Sequence, residues 1–103
     1  MSVIHVNENN INELMKENRP VLIDFYAEWC GPCRMVGPII EKIAAENGDI
    51  AVAKVNVENE HALARRFGIA SIPTLVVIKD GEIVNRSVGA QPERKILELV
   101  GKS

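Results

Sequence analysis

The sequence feature that most constrains the fold is a near-continuous apolar run at residues 21–27, Val-Leu-Ile-Asp-Phe-Tyr-Ala. A strand with apolar side chains on both faces has to be covered on both faces. Residues 51–57 repeat this pattern, and each run is followed by residues with helical spacing. We therefore expect an α/β fold in which both runs are strands of one sheet, with residues 21–27 at its centre.

The other periodic segments predict an alternating order of strands and helices. Helical spacing marks four segments, which contain Ile11 to Met15, Val36 to Ala44, Leu63 to Phe67, and Ile96 to Val100. Short strands are predicted at residues 3–6, 74–78 and 82–88, and Asp80-Gly81 predicts a tight antiparallel hairpin between the last two. Pro38 lies inside the longest helix and predicts a kink. The predicted order is β-α-β-α-β-α-β-β-α, with about five strands in a mixed sheet and helices on both faces.

Composition limits the classes of function. The 103 residues are 47% apolar and 25% charged, which predicts a single globular domain over residues 1–103. The formal charge of -2 is spread without a basic block, so nucleic acid is not an expected partner. No apolar stretch is long enough to cross a bilayer, and no export signal is recognised. We expect a cytoplasmic protein that acts without a membrane.

The two cysteines, Cys30 and Cys33, carry the chemistry. The loop between them is too small for a structural staple, which points to redox chemistry in a reducing compartment. They lie between the central strand and a helix start, where unpaired backbone N–H groups and the helix dipole favour a thiolate. We predict that Cys30 is the nucleophile and that the less exposed Cys33 is the resolving thiol. Gly31 and Pro32 fit a helix start.

Two other interpretations of the pair remain open at this stage. A zinc site needs four ligands, and the only further candidates are the isolated His5 and His61, so we expect no metal. The cysteines could also be inert buried side chains, since free cysteine often packs as a small hydrophobe. The position of the pair favours the redox interpretation over both.

Asp24 interrupts the apolar central strand, where burial disfavours a carboxylate. One interpretation is structural: Asp24 pairs with Lys54, the one charged residue of the second apolar run. The other is functional: Asp24 accepts the proton of Cys33, and Lys54 modulates it. Both interpretations can hold at once.

Aromatic and proline residues surround the cysteine pair in the sequence. Core packing is predicted for Phe25 and Tyr26, whereas Trp29 is open to either packing or partner contact. Met35 is expected to pack in the ordinary way. Pro73 precedes a strand, where proline marks a turn or a cis bond.

These motifs together resemble the thioredoxin family over nearly the whole chain. The matching blocks, in family order, are residues 21–28, Trp29-Cys30-Gly31-Pro32-Cys33, Pro38, residues 53–57, Phe67-Gly68-Ile69, Ser71-Ile72-Pro73-Thr74, Lys79-Asp80-Gly81 and Val88-Gly89-Ala90. The resemblance implies the thioredoxin fold, a central mixed five-stranded sheet flanked by two helices on each face. It also implies a cis bond between Ile72 and Pro73 beside the cysteines.

The resemblance further implies how targets are held. An extended target segment would pair with the backbone of Ile72 over a flat apolar surface. By resemblance, the residues of that surface are Trp29, Gly31, Pro32, Ile69, Ile72, Pro73, Gly89 and Ala90.

The activity implied is protein-disulfide reduction by a monomer with no bound cofactor. A thioredoxin reductase would restore the dithiol, and disulfide-containing targets would include proteins such as ribonucleotide reductase, peroxiredoxin and methionine sulfoxide reductase. Gly31-Pro32 resembles the dipeptide of reducing members. A redox-switched binding module, and an oxidase or isomerase with the opposite electron flow, remain the alternatives.

Overall fold

The computed structural model describes residues 3–102; the single-domain prediction also includes residues 1, 2 and 103, which lie outside the described residues. The elements follow the predicted order. They are β1 (Ile4–His5), α1 (Ile11–Met15), β2 (Val21–Tyr26), α2 (Gly31–Glu46), β3 (Ala51–Asn56), α3 (His61–Arg66), β4 (Thr74–Lys79), β5 (Glu82–Val88) and α4 (Glu93–Leu99).

One mixed sheet holds all five of these strands, in the order β1-β3-β2-β4-β5. Strands β1, β3 and β2 are parallel, and β4 is antiparallel to both β2 and β5. The predicted central position of the first apolar run is confirmed, because β2 lies between β3 and β4. Parallel neighbours need crossover connections, and α2 supplies the one from β2 to β3.

The β4–β5 hairpin is also confirmed. Its turn residues Asp80 and Gly81 have φ values of 53° and 79°. Positive φ at both central residues characterises the turn that matches the twist of a two-residue hairpin. A register shift between Val77 and Ile78 lets β5 accommodate one extra residue against β4.

Two apolar clusters lie on opposite faces of the sheet, as the alternation of side chains along a strand requires. On one face, Val21, Ile23 and Phe25 pack with buried residues of α1 and α3. On the other face, Leu22 packs with buried residues of α2 and α4. The prediction of two helices on each face is confirmed.

The predicted boundaries differ from the structure at a few places. Strands β2 and β3 end one residue before the predicted ends, because Ala27 and Val57 are apolar for another reason: both belong to the packing around the cysteines. Helix α2 continues through Pro38 up to Glu46. The kink at Pro38 stays a prediction. Within residues 3–102, none of the helices is both long and apolar enough to span a bilayer.

Candidate active site

The start of α2 places the two cysteines one helical turn apart. Cys30 is the N-cap residue, and its Sγ accepts a hydrogen bond from the backbone N–H of Cys33 at 3.2 Å. The first N–H groups of a helix have no acceptor within the helix itself. The Cys30 sulfur therefore takes the place that a Ser or Asp oxygen takes at other helix starts. Gly31 and Pro32 are the first two helical residues, where proline has no hydrogen bond to lose.

The two sulfurs are joined as a disulfide, with the Cα atoms 5.2 Å apart. Only 5% of Cys30 and 4% of Cys33 is exposed. The two exposed fractions therefore differ much less than the sequence predicted. Both belong to one small buried cluster, which explains the similar values. The difference between them lies in hydrogen bonding and position: Cys30 caps the helix and Cys33 lies within its first turn.

The histidines lie apart from the cysteine pair in the sequence and the fold. His5 is exposed on β1, and His61 is exposed at the start of α3. Among residues 3–102, no three His, Cys, Asp or Glu side chains come together as a group that could hold a metal ion. The zinc interpretation therefore gains no further ligand from the fold.

Asp24 is fully buried on β2, and no described residue donates a hydrogen bond to either of its carboxylate oxygens. Burial raises the pKa of Asp24 to about 6, and the positive charge of Lys54 opposes part of this rise. Burial has the larger effect because a carboxylate without donors loses its hydration and gains little in return. A carboxyl group with this pKa can accept and release a proton near neutral pH.

Lys54 stands opposite Asp24 in the register of β2 and β3. Lys54 is half-buried, and its ammonium lies 4.5 Å from the centroid of the Tyr26 ring. The structural interpretation predicted a pair with Asp24, but the Asp24 oxygens accept no hydrogen bond from Lys54. The pairing is therefore an interaction between charges and not a hydrogen-bonded ion pair.

An open cleft of about 320 Å³ brings the second cysteine and the lysine to a common surface. Cys33 lines it from α2, Lys54 from β3 and Tyr26 from the end of β2. Charged side chains of Glu28, Arg34 and Glu41 also line it. Two of the residues that the sequence assigned to proton transfer, Cys33 and Lys54, thus line one cleft, and the third, Asp24, is buried on the face of β2 that α2 covers.

The loop before β4 carries the proline that the resemblance singled out. The Ile72–Pro73 bond is cis, which confirms that expectation. Ile72 packs against the cysteine cluster, and the carbonyl of the buried Pro73 accepts a hydrogen bond from the N–H of Gly89 at 2.8 Å. No described residue pairs through its backbone with the N–H or C=O of Ile72. Those two groups are available to an extended segment.

Of the residues predicted to contact targets, Pro73 is buried beneath the surface. The others form what we call the target patch: Trp29, Gly31, Pro32, Ile69, Ile72, Gly89 and Ala90. Each is at least partly exposed, and Trp29 is 64% exposed. The bond from Gly89 to Pro73 holds Gly89 and Ala90 next to the Ile72–Pro73 segment. For Trp29, the exposed fraction favours partner contact over core packing.

Of two predictions about side chains near the site, one was partly right and the other was wrong. Tyr26 was expected in the core: it packs against the buried cysteine cluster, but at the last residue of β2 it is itself only half-buried. Met35 was expected to pack but is 70% exposed, since it lies beside the buried Val36 on the outer side of the α2 stripe. Sequence reasoning also missed Gly37, where a Cβ would stand 3.8 Å from the Lys54 Nζ, in ordinary van der Waals contact. The contact between Lys54 and the Tyr26 ring depends on the register of β2 and β3, which neither segment shows by itself.

Comparisons with known proteins agree with this geometry. The family model described as Thioredoxin matches residues 2–102. The thioredoxin of Bacillus subtilis is 47% identical over 83 residues, covering 80% of each chain. The thioredoxin of Pyropia yezoensis is 42% identical and covers 99% of this chain and 97% of its own. A solved structure of a mutant thioredoxin from Halobacterium salinarum superposes with a TM-score of 0.90 at 40% identity, covering 96% of this chain and 88% of the other.

The match extends along the chain and includes the cysteine pair at the start of α2. The fold, the sequence and the site therefore agree: the chain belongs to the thioredoxin family of protein-disulfide oxidoreductases, which exchange a dithiol for a disulfide.

Proposed function

We propose that this protein reduces disulfides of other proteins, with different roles for its two cysteines. The Cys30 thiolate attacks one sulfur of the target disulfide, forms a mixed disulfide and releases a target thiolate. The Cys33 thiolate then attacks the Cys30 sulfur, which frees the second target sulfur and closes the Cys30–Cys33 disulfide. Two electrons pass from the dithiol to the target.

The hydrogen bond from the Cys33 N–H to the Cys30 Sγ is the observation that carries this assignment. A donor aimed at a sulfur favours its thiolate, and the partial positive charge of a helix start acts in the same direction. Only Cys30 has this position, because it is the N-cap residue of α2. The attacking thiolate is therefore Cys30 and the resolving thiol is Cys33.

Asp24 is proposed as the group that takes the proton of Cys33, with Lys54 adjusting how readily it does so. Its pKa of about 6 suits that task near neutral pH. Cys33 and Lys54 line the same cleft, so the lysine charge lies on the side of the site where the proton moves. Gly31, Pro32 and Pro73 support the site by shaping the helix start and the loop that faces it.

Targets are proposed to bind along the target patch as an extended segment. The free backbone N–H and C=O of Ile72 can pair with such a segment as one strand pairs with another. Backbone pairing reads little of the target's side chains, so broad specificity is expected. Trp29, Ile69 and Ala90 would supply apolar contact at its borders.

The partners proposed are a thioredoxin reductase, which returns two electrons to the Cys30–Cys33 disulfide, and targets such as ribonucleotide reductase, peroxiredoxin and methionine sulfoxide reductase. A protein of this activity needs reducing surroundings, so we place it in the cytoplasm. We propose that it works as a monomer, because the target patch has to stay open to partner proteins.

Trapping tests the roles of the cysteines. Cys33→Ser leaves Cys30 able to attack a target and removes the thiol that resolves the product, so mixed disulfides should accumulate in a cell extract and disappear on treatment with dithiothreitol. Cys30→Ser is the matched control, because it keeps one cysteine but lacks the attacking sulfur. Equal trapping by the two variants would contradict the assignment.

The direction of electron flow is tested by the reduction potential of the Cys30–Cys33 pair in dithiothreitol and glutathione buffers, followed through Trp29 fluorescence. A potential well below that of the glutathione pool is expected of a reductant. A potential at or above it would indicate an oxidase or isomerase. The absence of a reversible two-electron transition would contradict both redox activities and would leave the binding module as the alternative.

A further inference from the structure

Tyr26 lies near both Asp24 and Lys54 in the fold. Asp24 and Tyr26 are two residues apart on β2, so their side chains share the face that α2 covers. In the register, Lys54 is opposite Asp24 and therefore diagonal to Tyr26. A lysine side chain is long enough to reach such a neighbour, and the Lys54 ammonium lies 4.5 Å from the ring centroid.

We propose that Tyr26 is a positioning residue, whose ring holds the Lys54 ammonium on the Cys33 side of β3 and so keeps a positive charge near the buried Asp24. The attraction is that of a cation for the face of an aromatic ring. Gly37 of α2 lies beside this arrangement: a Cβ at that position would stand 3.8 Å from the Nζ, in ordinary van der Waals contact.

The ring is needed because a second cleft competes for the Lys54 side chain. Lys54 and Tyr26 separate two clefts, and both residues line each of them. The second cleft is also lined by Glu60 and His5, and by Glu28, which lines both clefts. A lysine released from the ring would move towards these carboxylates or into solvent. Asp24 would then lose much of the positive charge that opposes the effect of its burial.

The other ionisable groups around the lysine do not supply that charge at the same place. Glu28 and Glu41 are negative, and Arg34 donates its Nε–H to the backbone carbonyl of Glu28 at 3.1 Å. Burial, followed by the negative charges of Glu28 and Asp24, raises the pKa of the Tyr26 phenol. The ring therefore stays neutral at physiological pH and keeps the electron-rich face that attracts an ammonium.

The test is a titration of the Asp24 carboxyl by carbon NMR in the oxidised protein, which measures the lysine's influence without any turnover. Tyr26→Leu should raise the pKa of Asp24 by about 0.5, because loss of a nearby opposite charge favours the protonated acid. Lys54→Met should raise it by at least as much. Tyr26→Phe is the matched control and should leave it unchanged, because the ring face remains.

The double variant Tyr26→Leu/Lys54→Met separates positioning from a direct effect of the ring. If Tyr26 acts through Lys54, the double variant should titrate as Lys54→Met does, with no further rise. A pKa of Asp24 that is unchanged in Tyr26→Leu, or effects that add in the double variant, would overturn the proposal.

The unmodified protein offers a second measurement that does not depend on the folding of Tyr26→Leu. The Lys54 Cε protons should be shifted upfield by the ring current in the native protein. Ordinary positions in the native protein would also overturn the proposal.

The kinetic consequence rests on the proposed role of Asp24. In Tyr26→Leu, the pH midpoint for resolution of the mixed disulfide should rise together with the pKa of Asp24. A shifted carboxyl titration with an unshifted rate profile would preserve the positioning role of Tyr26 and count against Asp24 as the proton acceptor. The two proposals can therefore fail separately.

Discussion

The two faces of β2 and β3 are made from alternate residues of the same two segments, yet they differ in chemistry. On the α1–α3 face, β2 contributes Val21, Ile23 and Phe25, and β3 contributes Ala51, Ala53 and Val55, all buried and apolar. On the α2–α4 face, the strands begin with the apolar Leu22 and Val52 and end with the polar groups of Asp24, Tyr26, Lys54 and Asn56. Polarity on this second face increases towards the cysteines.

Because of this difference, one face of the sheet contributes mainly to stability and the other carries the groups for chemistry. The α1–α3 face gains from burial of apolar surface and carries no ionisable group on either strand. The α2–α4 face accepts a fully buried carboxyl group without a hydrogen bond from any described residue. Such a group destabilises the native state when it is charged. On the face next to the reacting sulfurs, the titratable group therefore lowers the stability of the native state.

The largest expected effect on stability comes from breaking the apolar face. Phe25 is fully buried and packs against Phe67, with ring centroids 5.4 Å apart. Phe25→Ala should lower the free energy of unfolding by about 3–5 kcal/mol, because it removes buried surface and leaves a cavity. Urea unfolding of the oxidised protein measures this. A loss below about 1 kcal/mol would show that the face is not the stabilising core we describe.

The next effect, on the polar face, is a pH dependence with an unusual sign. The pKa of Asp24 is about 6 in the native state against an ordinary 3.8, so the native state binds this proton more tightly than the unfolded chain does. The unfolding free energy should therefore fall as pH rises from about 4 to about 6, by about 3 kcal/mol in all, and then level off. Below the ordinary pKa both states are protonated and the contribution vanishes.

Asp24→Asn is the control for this dependence, since its amide does not titrate. The informative quantity is the difference in slope between the two proteins over pH 4–6, because other carboxyl groups affect both equally. The native protein should lose stability relative to the variant as pH rises. Parallel curves would show that Asp24 titrates at its ordinary pKa and would contradict the electrostatic difference between the two faces.

Much of this architecture follows from sequence patterns that are local to one strand or one turn. The apolar run of β2 can be satisfied only by cover on both faces, so its central place was predictable. The Asp80-Gly81 turn depends on positive φ at adjacent residues, which its own sequence favours. The cysteine pair was predictable because its spacing and its place before a helix are both local.

The side-chain arrangement around Asp24 was less predictable because it depends on register. Whether Lys54 bonds to Asp24 or lies over Tyr26 depends on the pairing of β2 with β3. Segments distant in sequence set that pairing. Met35 shows the same limit on a helix, because one step in sequence from the buried Val36 moves a side chain to the surface.

The smallest expected effect on stability comes from the other aromatic of the same segment. Trp29 is 64% exposed, so Trp29→Ala should change the free energy of unfolding by no more than about 0.5 kcal/mol, in contrast to Phe25→Ala. If Trp29 contacts targets, the same variant should raise the KM for a protein disulfide and leave the exchange rate with a small disulfide unchanged. The small disulfide reaches Cys30 without covering the target patch, so it is the control for the chemistry itself. A large loss of stability would make Trp29 a packing residue, and equal losses with both substrates would place its role at the sulfurs.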